Sequence, residues 1–307
     1  MNEPSDGPTE AVQITRSGFV AVAGRPNAGK STLVNRLVGQ HVAIVSPIAQ
    51  TTRRVVRAVV NSGDAQIVFV DLPGSQKPVD RLTTRMQGAV LSSLGDVDAV
   101  LWVIDMEDEP RAGEHAVADL VFGAGVPVVI AANKIDRLHP PGILERLTQL
   151  GNLIGDRPYH AMVPISALTG DGADLIVTEL AQLLPAGPQY YPTGDVTDMR
   201  ESERVAEYVR EAALKHMREE LPHATIVEVV EMEDHDDLLH VECIIWVESE
   251  SQVGIVVGKG GERIKQIGTD ARYVIEVSLG RKAFLELRVK VRKHWRDDDA
   301  QLERWGL

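Results

Sequence analysis

Gly24-Arg25-Pro26-Asn27-Ala28-Gly29-Lys30-Ser31 stands directly after the apolar run Phe19-Val20-Ala21-Val22-Ala23 and opens a helical pattern. The spacing G-x-x-x-x-G-K-S between a strand and a helix is that of a phosphate cradle. Its glycines let backbone N–H groups turn inward around a pyrophosphate, and the helix presents its positive N-terminal end to the same anion. In such a loop Lys30 reaches the β- and γ-phosphates, and Ser31 supplies the short hydroxyl that a magnesium ion bridging them takes as a ligand. Gly24, Asn27, Ala28, Gly29 and Thr32 complete the expected contacts with the nucleotide.

From residue 18 to 184, apolar β-runs at 19–23, 55–60, 67–70, 99–104, 126–131 and 162–165 alternate with amphipathic stretches. That alternation is the pattern of a wound α/β sheet, and the nearly continuous Val, Ile and Ala predict strands covered by helices on both faces. Ligands of such sheets sit beyond the carboxyl ends of the strands, so the residues after each run are candidates. Asp71-Leu72-Pro73-Gly74 offers a carboxylate to hold magnesium, directly or through water, and the Gly74 N–H for the γ-phosphate. Asn133-Lys134-Ile135-Asp136 offers base selection: the Asp136 carboxylate accepts from the ring N–H and exocyclic amine of guanine together, a donor pair adenine lacks on that edge. Lys134 is expected to lay its methylenes along the base and Asn133 to tie loop to loop. Ser166-Ala167-Leu168 places a backbone N–H at Ala167 for the guanine oxygen. Gln50-Thr51-Thr52-Arg53 lies between the cradle and Asp71. A mobile loop there brings a threonine hydroxyl, Thr52 in preference to Thr51, to the magnesium only while a γ-phosphate is present; a solvated Thr-rich loop is the alternative. Arg53-Arg54 reads equally as solvated surface.

The 307 residues suffice for about two domains. With 44% hydrophobic residues and no apolar stretch near 18 residues, neither a wholly disordered chain nor a membrane span is favoured. Residues 1–17, acidic and lacking an apolar core, predict a disordered arm rather than a secretion signal. The single cysteine, Cys243, excludes an intrachain disulfide and a cysteine zinc site, fits a reducing cytoplasm, and sits in an apolar alternation as a buried structural thiol. Pro185, Gly187, Pro188, Pro192 and Gly194 around Tyr190-Tyr191 mark a linker, dividing a nucleotide domain at 18–186 from a second unit at 187–307. There the pattern predicts a helix over 203–220, strands over 225–231 and 238–247 around an acidic turn at 233–237, a short helix, a glycine loop, a helix from Glu262 and a strand over 284–291. His235 and His240 read as part of a solvent-facing hairpin rather than a metal site.

The net charge of −13 ordinarily argues against nucleic acid, yet residues 251–296 hold eleven Lys and Arg against four Asp and Glu, a local +7. Within them Val257-Gly258-Lys259-Gly260-Gly261-Glu262-Arg263 carries the G-x-x-G spacing that clamps four backbone nucleotides between two helices. Gly258, Lys259, Gly260, Gly261, Arg263 and Lys265 are the expected RNA contacts, with Val257, Ile264 and Ile267 as an apolar floor for bases.

Taken together, GRPNAGKS, QTTR, DLPG, NKID and SAL resemble the G domain of the Era family of bacterial GTPases. The order helix, strand, strand, short helix, G-x-x-G, helix, strand resembles a type II KH domain, and the resemblance covers residue 18 to the C-terminus. It implies an α/β P-loop GTPase domain, with a mixed, mostly parallel sheet, followed by an α+β KH domain. It implies hydrolysis of GTP to GDP and phosphate with Mg2+, binding to the 3′ end of small-subunit rRNA, and assistance to assembly of the pre-ribosomal small subunit. It also implies a cytoplasmic monomer, without a transmembrane segment, in peripheral contact with the inner face of the membrane. Lys30, Thr52, Gly74 and Asn27 are the residues it points to for catalysis, with Ser31, Thr52 and Asp71 around the metal. Asn27 is similar to an asparagine that coordinates K+ in related GTPases. The chain departs from the family at Leu72, usually Thr, and at Ser75, usually apolar. Ser75 is too short to orient a water as the glutamine of Ras-like GTPases does, and Gln76 is one position off. Two other readings stay open: an RNA-binding assembly protein that holds GTP as a structural ligand, and a tRNA-modification-type GTPase.

Overall fold

Six strands, β1 (Arg16–Ala23), β2 (Val56–Ser62), β3 (Ala65–Asp71), β4 (Ala99–Asp105), β5 (Val128–Asn133) and β6 (Ala161–Pro164), form one sheet in the order β2-β3-β1-β4-β5-β6. All neighbours run parallel except β2, which pairs antiparallel with β3. The computed structural model describes residues 13–46, 48, 51–73, 78–109, 112–218, 221–235 and 237–307. Residues 1–12 of the expected N-terminal arm, Gln50, Gly74, Ser75 and Gln76 lie outside the described residues.

Period-2 alternation in β4 explains why its sequence is apolar throughout. Ala99, Leu101 and Val103 join the core on one face, while Val100, Trp102 and Ile104 join the core on the other. The first face is covered by α1 (Lys30–Val38) and α5 (Ala173–Leu183), the second by α2 (Arg81–Gly95), α3 (Ala112–Gly123) and α4 (Pro140–Ile154). β1 has β3 on one side and β4 on the other, so the chain reverses direction of growth beside the cradle, which is where wound sheets open a ligand crevice.

The second unit follows the order α6 (Glu201–His216), β7 (Ile226–His235), β8 (Leu238–Val247), α7 (Glu250–Val257), α8 (Glu262–Leu279), β9 (Lys282–Val291), ending in α9 (Asp299–Arg304). β7 and β8 are antiparallel, β8 and β9 parallel, and the helices bury Val241, Cys243 and Ile245 of the central strand. Two boundaries differ most from the sequence pattern. α6 stops at His216 because Met217 turns extended (φ −106°, ψ 156°) and is buried in the core. β7 runs on to His235 through the acidic segment expected as a turn. A bulge between Val229 and Glu231 keeps Asp234 paired with Leu239, and Arg281 neutralises Asp234 at 2.8 Å.

The linker is held to the first unit. Val59 N–H donates to Val196 O at 2.9 Å, and the Gln66 amide oxygen accepts from the N–H groups of Tyr190 and Tyr191 at 2.8 and 2.9 Å. A further apolar cluster joins the two units, with Leu82 and Met86 of α2 packed against Ile226, Trp295, Leu302 and Trp305.

Candidate nucleotide site and RNA-binding interface

The cradle closes around backbone that side chains could not occupy. Gly29 has φ 97°, and a Cβ there would lie 2.2 Å from the Asn133 side-chain nitrogen. Asn133 in turn fastens the cradle to the far loop: its Nδ2 donates to Ala28 O at 2.8 Å and its Oδ1 accepts from Ala167 N–H at 2.9 Å. The loop-to-loop tie read from the sequence is therefore made, with a consequence for Ala167. Its N–H, expected to face the guanine oxygen, is engaged by Asn133, because the amide that holds Ala28 with its NH2 turns its oxygen toward Ala167. Leu168 is exposed, and its carbonyl accepts from Arg36.

Three oxygen-bearing side chains from three segments converge at the start of α1. Ser31 Oγ donates to Asp71 Oδ2 at 2.8 Å, Thr52 Oγ1 donates to the same oxygen at 3.4 Å, and the two hydroxyls are 3.2 Å apart. Thr51 is placed elsewhere, its hydroxyl donating to Ile48 O at 2.6 Å. Asp71 ends β3, is fully buried, and its Oδ1 has no hydrogen-bond partner among the described residues. Burial pushes the Asp71 carboxyl above the usual carboxylate range, opposed by Lys30 and by the hydroxyls of Ser31 and Thr52. Burial likewise pulls Lys30 below the usual lysine range against Asp71 and Glu114. Lys30 Nζ donates to Gly24 O at 3.0 Å and to Arg25 O at 3.1 Å, curling inside its own loop. An all-oxygen set of hydroxyls and a half-satisfied carboxylate suits a hard cation that shares its remaining ligands with phosphate, as magnesium does. Among the described residues no cluster of three His, Cys, Asp or Glu side chains offers a closed protein-only metal site.

Beside these groups opens a cavity of about 380 Å³ lined by Lys30, Ser31, Thr32, Thr52, Lys134 and Arg137, and by Asn27 in a left-handed conformation (φ 64°). In the neighbouring loops Ser166 Oγ donates to Asp136 Oδ1 at 2.6 Å and fixes the carboxylate. Lys134, also left-handed (φ 71°), is ion-paired to Asp105 at the end of β4. Asp105 and Glu114 escaped the sequence reading. Glu114, in the first turn of α3, backs the cradle by pairing with Arg25 at 3.6 Å, and burial pushes its carboxyl up. A strand-terminal acid one strand before the Asn133 loop is the signal that could have found Asp105.

At the second site Gly258 ends α7 with φ 76°, and a Cβ there would lie 2.7 Å from the Cβ of Arg263, so a tight turn joins α7 to α8. Around Gly260 and Gly261 there is open space. Lys259 and Lys265 are exposed and have no ion pair among the described residues, as phosphate contacts require. Arg263, grouped with them from the sequence, donates to Ile255 O and ties α8 to α7. Much of the local +7 is answered by neighbours: Arg288 pairs with Glu242 at 2.8 Å, Arg292 with Asp298 at 3.2 Å, and Arg296 with Asp80 at 3.4 Å.

The two units meet at the residues that follow Thr52 and at α2. Arg53 and Arg54 are not solvated surface. Arg53 is buried with its guanidinium against the carbonyls of residues 222, 223 and 225, and Arg54 donates to Trp305 O at 2.7 Å. Arg85 of α2 donates to the terminal residue Leu307 at 2.7 Å and pairs with Asp299 at 3.2 Å. Among the described residues no helix is long and apolar enough to cross a membrane.

Fold and site define a P-loop GTPase joined to a KH domain. A model described as "50S ribosome-binding GTPase" matches residues 19–134, and one described as "KH domain" matches residues 220–296. GTPase Era of Mycobacterium avium is 42% identical over 297 residues, 95% of this chain and 99% of the relative, and GTPase Era of Lacticaseibacillus paracasei is 43% identical over 291 residues, 94% and 96% of the two chains. Among solved structures, Aquifex aeolicus Era bound to GDP.AlF4- superposes with a TM-score of 0.89 at 35% identity, covering 95% of this chain and 99% of that one. Era in complex with MgGDPNP and nucleotides 1506–1542 of 16S ribosomal RNA gives 0.88 at 36% identity with the same coverage. The chain belongs to the Era family of GTPases.

Proposed function

We propose that the protein is a GTP-hydrolysing switch whose KH domain grips the 3′ end of small-subunit rRNA and assists assembly of that subunit, acting as a monomer on the pre-ribosomal particle. The observation that carries the coupling is an adjacency in the chain: Thr52 stands 3.2 Å from Ser31 at the metal position, and Arg53, the next residue, is buried in the KH unit. The RNA target is supported by the relative whose structure holds MgGDPNP and a 16S segment. The relatives are named GTPases, which gives no support to GTP as a merely structural ligand or to a tRNA-modification role.

In this reading the α1 amides and Lys30 take the phosphates, Lys30 exchanging its two loop carbonyls for phosphate oxygens. Asp136, steadied by Ser166, selects guanine. Ser31, Thr52 and Asp71 would hold the magnesium, which when bound neutralises charge on the β- and γ-phosphates. A γ-phosphate would complete the surroundings of Thr52, and loss of that phosphate would loosen Thr52, pull on Arg53 and change how the KH domain is presented. The Gly74 N–H is proposed as a γ-phosphate donor on the motif alone. Such work places the protein in the cytoplasm, and its family resemblance adds peripheral membrane contact at the inner face.

The test has two arms. Multiple-turnover phosphate release from GTP with magnesium is expected to vanish in Lys30→Ala. Binding of a 16S 3′-end oligonucleotide is expected to collapse when Gly260 and Gly261 are both replaced by Asp, since two carboxylates would face the phosphates in open space. Intact RNA affinity after that change would refute the KH assignment.

A further inference from the structure

Thr52 is held in place from the RNA-binding side as well as from the cradle. Its chain neighbour Thr51 gives its carbonyl to Arg210 Nη2 of α6. Arg210 is 1% exposed, although it belongs to the KH unit and carries a charge. Its charge is matched one helical turn earlier by Glu207, with Nε to Oε1 at 3.1 Å and Nη2 to Oε2 at 2.6 Å. Burial disfavours the Glu207 carboxylate, but Arg210, joined by Arg54 and Arg53, outweighs it and holds the carboxyl below its usual range. Nη1 of Arg210 has no hydrogen-bond partner among the described residues, an expensive arrangement for a stability device. A guanidinium buried at such cost, with its one hydrogen bond across the domain boundary among the described residues falling on the carbonyl before Thr52, suits a role in placing that residue.

We propose that Arg210 is a positioning residue for GTP hydrolysis: the KH domain, through the Thr51 carbonyl, sets the Thr52 hydroxyl beside Ser31 and Asp71. The inference rests on reading Thr52 as a magnesium ligand. Glu207 steers the fork, so that Nη2 meets both the Oε2 of Glu207 and the carbonyl of Thr51. Hydrolysis thereby requires the KH unit to be docked, with no residue of that unit touching the nucleotide.

Arg210→Ala, Arg210→Lys and Thr52→Ala are compared in the full chain, with kcat, the magnesium concentration for half-maximal rate, and the affinity for a fluorescent GDP analogue as readouts. For Arg210→Ala, kcat is expected to fall about tenfold or more and the magnesium requirement to rise several-fold in the GTP reaction, with GDP affinity unchanged within about threefold, because Thr52 serves only the triphosphate state. Arg210→Lys, which keeps charge and stem but offers one compact donor group in place of the fork, is expected to recover part of the rate and decides the matter if the alanine variant does not fold. Wild-type kcat and magnesium dependence in both Arg210 variants overturns the proposal, and so does a parallel loss of GDP affinity in both, which marks a merely structural contact. If Thr52→Ala leaves the magnesium requirement unmoved, the metal-ligand reading itself falls. If Thr52→Ala raises it and the Arg210 variants do not, only the positioning role falls.

Discussion

Arg53 Nη1 donates to the Thr225 carbonyl at 2.6 Å, so a residue of the nucleotide domain caps a loop of the RNA-binding domain. Its Nη2 reaches Pro222 O and His223 O, both at 2.9 Å, and its guanidinium lies 5.6 Å from the centre of the Trp295 ring. Burial, and then the neighbouring charge of Arg210, push its pKa down to about 9. Replacing Arg53 by Ala orphans three carbonyls and opens the Trp295 cluster. The expected loss is on the order of 2–4 kcal/mol of stability, read from denaturant midpoints, since each unsatisfied buried group costs about 1–3 kcal/mol. GTP-dependent change in RNA affinity should vanish in the same variant; a variant as stable and as responsive as the parent would contradict this account of the interface.

Base choice should rest on one carboxylate. Asp136→Asn puts a donor where guanine also presents donors, and the expected drop in GTP affinity is on the order of a hundredfold. Xanthosine triphosphate, which offers an acceptor at that edge, should bind the variant better than GTP does. Titration calorimetry with the two nucleotides checks it, and an unchanged preference for guanine is the contrary result.

Asn133 has a different task from Asp136, since its amide joins Ala28 to Ala167 rather than reading the base. Asn133→Ala is expected to weaken GDP and GTP alike and to lower stability by roughly 2 kcal/mol, two buried partners being left unpaired. A change in kcat without a change in affinity would speak against that role.

Asn27, left-handed on the cavity lining, is the proposed potassium ligand. Hydrolysis should be faster in potassium than in sodium, with the difference lost in Asn27→Ala. Equal rates in the two salts for the parent protein remove the proposal.

Cys243 is fully buried on the central KH strand, and burial, with Glu242 beside it, raises its pKa to about 12 from an unfolded value near 9.0. A raised thiol pKa means the unfolded chain gives up its proton first. The stability that Cys243 contributes is therefore whole below pH 9 and is lost as pH rises toward 12. At pH 8 a thiol reagent should leave the folded protein untouched and label it stoichiometrically in denaturant. Fast labelling of the native protein would show the strand to be open.

The sequence announced the parts whose chemistry demands a residue type at a fixed spacing. Lys30 and Ser31 come after β1 while Asp71 and Asn133 end β3 and β5, and phosphate, magnesium and loop closure leave few substitutes for them. Thr52 was separable from Thr51 by its expected reach to the metal, and the two hydroxyls do point to different partners. The partners that hold those groups were hidden. Asp105, Glu114 and Arg210 lie on ordinary strand and helix positions, and only the folded arrangement, across 29 residues for Lys134 and Asp105 and 159 for Thr51 and Arg210, gives them work. Arg53 looked like surface because charge in a loop usually is surface, and only the second domain removes it from water. Arg263, a basic residue beside the G-x-x-G loop, also lies within reach of the helix end before it, a contact that spacing alone did not announce.

The strip of linker zipped along β2 sets where the molecule can hinge. Val196 is hydrogen-bonded to Val59, and Thr197 Oγ1 donates to Arg57 O at 2.7 Å, whereas α6 begins at Glu201. Asp198 is also paired with Arg57 at 2.9 Å, so any swing of the KH unit that leaves this strip in place has its pivot in residues 199–200. The same strip covers an outer strand that would otherwise offer an open ladder to a neighbouring molecule. A protease cut or an inserted tag at 190–197 should provoke self-association before it impairs GTP turnover, making that short stretch a guard of solubility as well as a tether.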